Sequence, residues 1–225
     1  MMKPIATFHS PLTSKFGIPR QSGIVEGLEG EIVFQQEYRN PDYVRGLEGF
    51  DYIWLLWGFS ANSHVAHSAT VRPPLLGGNQ AMGVFATRSP YRPNPIGLSS
   101  VRIVRIDLDD SRGPVIHVSG ADLMDGTPIF DIKPYVEYAD SHVGVRSGFV
   151  DQREWKCLDV VFVEGVGECL DDDDREVVTR LLSLDPRPHF HDDPQRVYGM
   201  PFRNFDIRFR VEGRKLLVVE IAKLS

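Results

Sequence analysis

The chain has 225 residues, 42% of them hydrophobic and 25% charged, a balance typical of globular proteins and unlike that of disordered or fibrous chains. Its longest apolar run, Tyr52 to Phe59, falls far short of the roughly 20 residues that a membrane-spanning helix needs. The N-terminus MMKPIATFHSPL lacks the apolar core of a secretory signal, so a cytoplasmic protein without membrane contact is expected.

The first 150 residues read as mostly β. Candidate strands are Pro4 to His9, Glu31 to Glu37, Asp51 to Phe59, Ala69 to Arg72, Gly83 to Thr87, Leu98 to Asp107, Pro114 to Ser119 and Pro128 to Lys133. They are short, rich in Val, Ile, Phe and Tyr, and separated by turn-forming clusters such as GLEG, GGN and MDGTP. Strands at this spacing without helical periodicity suggest a barrel or sandwich and argue against a parallel βαβ fold. Trp54 and Trp57 stand among Ile53, Leu55 and Leu56 in an unusually apolar strand, as expected for core or a subunit interface.

The chain changes character near Val150. Trp155 to Glu164 alternates like a strand. Asp171 to Leu184 reads as a helix, with DDDD at its N-terminus where the helix dipole favours negative charge. Val177, Val178, Leu181, Leu182 and Leu184 form its apolar stripe. Asn204 to Val211 and Lys215 to Leu224 flank a hairpin turn. Residues 151–225 are thus expected to form a small β-α-β-β domain after a domain spanning 1–150.

Net charge is −6, yet no Asp or Glu occurs from Tyr52 to Ile106, a stretch that holds Arg72, Arg88, Arg92, Arg102 and Arg105. An acidic protein with this distribution can still present one positive face. Within the stretch, ATRSPYRPNPIGLS (Ala86 to Ser99) carries Pro90, Pro93 and Pro95. Each proline fixes its own φ and disfavours helix before it, so the segment is a stiff extended loop. Arg88, Arg92, Asn94 and the bare backbone at Gly97 suit a carboxylate, a ribose and an adenine edge. In SGADLMDGTPIFDIKPY, the Asp125-Gly126 turn gathers Asp122, Asp125, Asp131 and Lys133. In FGIPRQSG, a proline-set turn precedes Arg20 and Gln21.

Other chemistries lack their residues. There is no G-x-G-x-x-G, Walker loop or G-x-S-x-G. His64 and His67 stand apart from His9, His189 and His191, and no cysteine lies near enough to suggest zinc, so no metal is expected. Cys157 and Cys169 fit no disulfide framework and read as reduced thiols.

Phe16 to Gly23, Asp42 to Phe59, Arg72 to Pro74, ATRSPYRPNPIGLS and DLMDGTPIFDIKPY together resemble the TsaA-like β-barrel methyltransferases, and Asp185 to Gly213 is similar to the second domain of the bacterial members. The resemblance covers nearly the whole chain. It implies a mainly β protein whose N-terminal antiparallel β-barrel dimerises and binds S-adenosyl-L-methionine. It further implies methyl transfer to N6 of threonylcarbamoyladenosine beside the tRNA anticodon. Carried over by position, cofactor contacts fall on Pro19, Arg20, Gln21, Ser60, Ala61, Arg88, Leu98, Asp122, Leu123, Met124 and Asp125. Asp122 or Asp125 is the expected base, with the substrate's own carboxylate as an alternative. Arg72, Arg92, Asn94 and Lys133 are expected to meet the substrate. The C-terminal domain, with Arg187, Arg196, Arg203, Arg208 and Arg210, is expected to help hold tRNA. Two rivals remain open: a non-catalytic RNA-binding barrel, and a transferase that uses S-adenosylmethionine on a small molecule.

Overall fold

A computed structural model describes residues 2–61, 68–152, 157–187 and 193–224. In chain order its elements are β1 (Ala6–His9), β2 (Glu29–Phe34), β3 (Tyr52–Gly58), β4 (Thr70–Val71), β5 (Met82–Gly83), β6 (Ile96–Asp107), β7 (Val115–Ser119), β8 (Thr127–Pro134), α1 (Glu137–Asp140), β9 (Asp159–Phe162), α2 (Asp172–Ser183), β10 (Tyr198–Phe202), β11 (Phe205–Glu212) and β12 (Lys215–Lys223). Short 3₁₀ turns fill several connections.

Six strands close into an antiparallel barrel in the order β1-β2-β7-β6-β3-β8. Closure removes the unpaired edges that an open sheet would leave exposed. The two-residue side-chain period decides which residues fill the interior. Along β3, Ile53, Leu55 and Trp57 are buried while Tyr52 is exposed. Phe8, Ile32, Val101, Ile116, Val118 and Ile129 from the other strands complete this core. The expected strand at Ala69 to Arg72 shrinks to two residues paired with β5, because a 3₁₀ turn starts at Pro74 and another replaces the expected strand after Gly83.

A second, four-stranded sheet has the order β10-β11-β12-β9, with β9 parallel to β12 and α2 packed against it. Helix α2 begins where the acidic run predicts: Asp171 caps it by accepting from the Asp174 backbone N–H at 2.7 Å. Sequence reading missed β10, so the order is β-α-β-β-β. Its sequence, YGMPF, contains Gly and Pro and looks like loop, but pairing with β11 overrides the local propensity.

The second core is not built from its own sequence alone. Leu12, Val25 and Leu28 join Val178, Leu181, Leu182, Met200 and Phe209 in one buried cluster, with Phe16 and Ile18 packed against it. Phe16 stacks on Tyr198 and Phe209, with centroid separations of 6.4 and 6.2 Å. Gly17 (φ +92°) is needed between them, since a Cβ there would lie 2.5 Å from the Met200 sulfur. The segment between β1 and β2 therefore packs into the C-terminal unit.

No helix among the described residues is long and apolar enough to cross a membrane. Cys157 and Cys169 are exposed free thiols. His64, His67, His189, His191 and the start of the strand expected from Trp155 lie outside the described residues.

Leu12→Ala removes a fully buried side chain from the second core and is expected to lower stability by about 2–5 kcal/mol. Urea denaturation followed by circular dichroism checks this. A loss below about 1 kcal/mol, less than cavity formation in a shared core would cause, would show that the N-terminal segment does not hold the two units together.

Candidate active site

A cavity of about 640 Å³ opens at one end of the barrel. Four pieces of chain wall it: Lys15 and Ile18 to Gln21 from the β1–β2 segment; Trp54 and Trp57 to Ala61 from β3 and its end; the proline-rich loop from Thr87 into β6; and Asp122, Met124 and Thr127 from the β7–β8 turn. The volume lies within the range of small-ligand sites.

Hydrogen bonds explain why these pieces meet. The β7–β8 turn is fastened by the N-terminal segment: Asp125 N–H donates to the Leu12 carbonyl, and Gly126 N–H to the Phe8 carbonyl, both at 2.9 Å. Gly23 N–H donates to the Gly120 carbonyl at 2.8 Å. The proline-rich loop braces itself: the Arg92 guanidinium and the Ser89 N–H donate to the Thr87 carbonyl and hydroxyl, and Phe59 N–H donates to the Pro95 carbonyl. Arg88 then bridges two walls by donating to the Gln21 side-chain oxygen.

The floor carries a buried polar chain. Trp57 Nε1 donates to Ser99 Oγ at 2.9 Å, and Ser99 Oγ donates to Asp122 Oδ1 at 2.5 Å. Trp57 can lie there because Gly97 opposes it in the β3–β6 pair; a Cβ at Gly97 would fall 2.2 Å from the indole. Burial pushes the Asp122 carboxyl above the usual carboxylate range, opposed by the Ser99 hydroxyl and the Arg88 charge. Among the described residues, Asp122 is the single carboxylate of the cavity wall, which also holds Lys15, Arg20, Arg88 and Arg92.

Most of the residues expected from sequence converge here. Pro19, Arg20, Gln21, Ser60, Ala61, Arg88, Leu98, Asp122 and Met124 line the cavity, as do Arg92 and Asn94. Four lie outside its wall. Leu123 alternates with its neighbours and points into the barrel core. Asp125 turns toward β1, accepting from Ser10 N–H at 3.1 Å and pairing with His9 at 3.2 Å. Lys133 pairs with Asp131 at 2.9 Å, and Arg72, just after β4, is not among the wall residues. Sequence reasoning missed Trp57, Phe59, Ser99 and Thr127. A tryptophan at an inward strand position opposite a glycine is the signal that could have marked Trp57.

The C-terminal arginines are largely neutralised at short range. Arg187 pairs with Asp185, Arg203 with Asp174, Arg208 with Asp206 and Glu220, and Arg210 with Glu212; Arg196 lies over the Tyr198 ring. No group of three or more metal-ligating side chains occurs among the described residues.

A closed barrel that ends in a ligand-sized pocket walled by a proline-arginine loop defines the class: a β-barrel protein with a small-molecule-sized cavity at its mouth. The sequence profile of the tRNA-methyltransferase O N-terminal domain matches residues 7–141, and that of the TrmO C-terminal domain matches residues 157–224. The chain belongs to this family. It is 35% identical to the Escherichia coli tRNA (adenine(37)-N6)-methyltransferase over 215 residues, 92% of this chain and 91% of that one. A Pseudomonas aeruginosa relative classed among S-adenosylmethionine-dependent methyltransferases is 34% identical over 229 residues, 98% of this chain and 97% of that one. The crystal structure of TrmO from Pseudomonas aeruginosa superposes with a TM-score of 0.80 at 30% identity, covering 99% of this chain and 96% of that one.

Gly97→Ala is expected to drive Trp57 from its place over the backbone, lowering stability by about 1–3 kcal/mol. Thermal denaturation and tryptophan emission check this. An unchanged melting temperature and spectrum would mean that the indole does not depend on the bare backbone.

Proposed function

We propose that this chain is an S-adenosylmethionine-dependent tRNA methyltransferase acting on N6 of threonylcarbamoyladenosine next to the anticodon. One observation carries the reading: a ligand-sized cavity whose described wall sets Asp122 among Lys15, Arg20, Arg88 and Arg92. Both partners in this reaction bring carboxylates, one on the methionine moiety and one on the threonyl group of the base. Guanidinium groups bind carboxylates in a two-pronged geometry, which suits Arg20, Arg88 and Arg92 to that role.

Bound S-adenosylmethionine supplies an already activated methyl group, so the protein's task is mainly alignment. Arg88, held by Gln21, and Arg20 bind the methionine carboxylate and fix the cofactor's reach into the barrel mouth. Trp57 and Phe59, in edge contact at 4.4 Å, give an aromatic wall for adenine. Arg92 and Asn94 on the rigid loop face the modified base. N6 is a weak nucleophile because its lone pair is delocalised into ring and carbamoyl group, which also makes its N–H more acidic. Asp122 would take that proton as the new carbon–nitrogen bond forms and the methyl–sulfur bond breaks, its electron pair leaving with the sulfur as a neutral thioether. Asp125, engaged with His9 and Ser10, is outside the cavity wall and stands down as an alternative.

The tRNA anticodon loop is the macromolecular partner. The expected assembly is a homodimer in the cytoplasm; Leu98, exposed beside the cavity, and Tyr52 and Phe50 offer an apolar outer face for it.

Arg88→Ala removes one charge-assisted contact and should weaken S-adenosylmethionine binding by roughly 1.5–3 kcal/mol. Isothermal titration calorimetry reads this, and wild-type affinity in a folded variant would remove Arg88 from the cofactor site.

Substrate choice is tested with two tRNA samples of one sequence, with and without threonylcarbamoyladenosine. A site built to pair a carboxylate leaves cations unmatched when it is absent, so plain adenosine should be disfavoured by up to about four orders of magnitude. Comparable rates would instead identify a general tRNA adenine methyltransferase.

A further inference from the structure

We propose that Ser99 is a positioning residue for methyl transfer: its buried hydroxyl, oriented by the Trp57 indole, holds Asp122 as the proton-accepting carboxylate. The inference rests on the reading of Asp122 as the group that receives the N6 proton, and extends it to Ser99, which need not touch either reactant, and to the indole that orients its hydroxyl.

What each group can donate fixes the direction of the chain. An indole N–H is a donor only, so the 2.9 Å contact between Trp57 Nε1 and Ser99 Oγ has one direction. A hydroxyl has one proton, and that of Ser99 goes to Asp122 Oδ1 at 2.5 Å. Ser99 is 1% exposed, so no water competes for its proton. A proton on Oδ1 would set two donors face to face, and a proton on Oδ2 would leave Oδ1 a weaker acceptor than a carboxylate oxygen for the serine hydrogen. A donor stranded in this way is costly in a buried place. The chain of bonds therefore favours the anion, against the burial that favours the neutral acid.

The scaffold has been shaped for this chain. Pairing of β3 with β6 sets Trp57 opposite Gly97 and Leu55 opposite Ser99, so Ser99 sits two residues along from the bare backbone on which the indole lies. The indole reaches the hydroxyl diagonally only because Gly97 has no side chain.

Of the cations that line the cavity, Arg88 acts on Asp122 in the same direction. Lys15 and Arg20 line the cavity from the β1–β2 segment, and Arg88 and Arg92 from the proline-rich loop. The Ser22 and Asp122 backbone N–H groups also favour the anion. Strands β3 and β8 bring Trp57 and Thr127 to the cavity wall, and β6 brings Ser99 against Asp122 from behind it; none of the three titrates in the working range. Asp125, in the same turn, pairs with His9 instead.

The test separates ionisation from catalysis. Carbon-13 NMR of aspartate-labelled protein, with Asp122→Asn identifying the resonance, gives the Asp122 titration midpoint without cofactor or RNA. Ser99→Ala is expected to move that midpoint to higher pH, and to move the acid limb of kcat upward with it, by on the order of one pH unit. The KM for S-adenosylmethionine should change far less than kcat at the acid end. Ser99→Thr, which keeps the hydroxyl, should return both toward wild type. A folded Ser99→Ala protein with an unmoved midpoint overturns the proposal. A midpoint that moves while the acid limb of kcat stays in place overturns instead the assignment of Asp122 as proton acceptor, and with it the role of Ser99 in the reaction.

Discussion

The packing of residues 12–28 into the C-terminal core is the contact on which the site depends. Leu12, Val25 and Leu28 are buried there, and the stack of Phe16 on Tyr198 and Phe209 fixes the chain just before Pro19. The same segment reaches the opposite way through hydrogen bonds from Asp125 N–H to Leu12 and from Gly23 N–H to Gly120. One stretch thus closes the second core, fastens the β7–β8 turn that carries Asp122, and presents Arg20 and Gln21 to the cavity. Apolar burial on one side supplies the rigidity that polar presentation on the other requires.

Charge is organised at two scales. The whole chain carries −6, and the C-terminal arginines spend most of their charge on adjacent carboxylates. Among the described residues of the cavity wall the balance reverses, with four cations against Asp122. A protein of this kind has weak general attraction for a polyanion and a strong local attraction for carboxylate groups. On the proposed function, selectivity for a carboxylate-bearing base within RNA would come from the pocket and not from a broad basic surface.

Much of this was legible in the sequence wherever a local physical rule acts alone. Three prolines within six residues leave little choice but a rigid loop, and the acidic run before Val177 marks the start of α2. The DG turn was also visible, but not its partners. Asp125 and Asp122 look equivalent in ADLMDG, and only the fold turns one toward His9 and the other into the cavity. Trp57 read as core, which it is, yet it also forms the cavity floor, because a barrel end is both interior and surface. Strand β10 and the packing of Phe16 on the second core arise from contacts between residues far apart in sequence, which no local pattern records.

The central claim is that the cofactor binds in this barrel-mouth cavity, held between the FGIPRQSG segment and the proline-arginine loop. A crystal structure of the full chain with S-adenosylhomocysteine tests it most directly. The account predicts the ligand's carboxylate within hydrogen-bonding distance of Arg88 or Arg20 and its sulfur directed toward Asp122. Density for the ligand at any other place on the barrel, with the cavity between Gln21 and Arg88 unfilled, would contradict it.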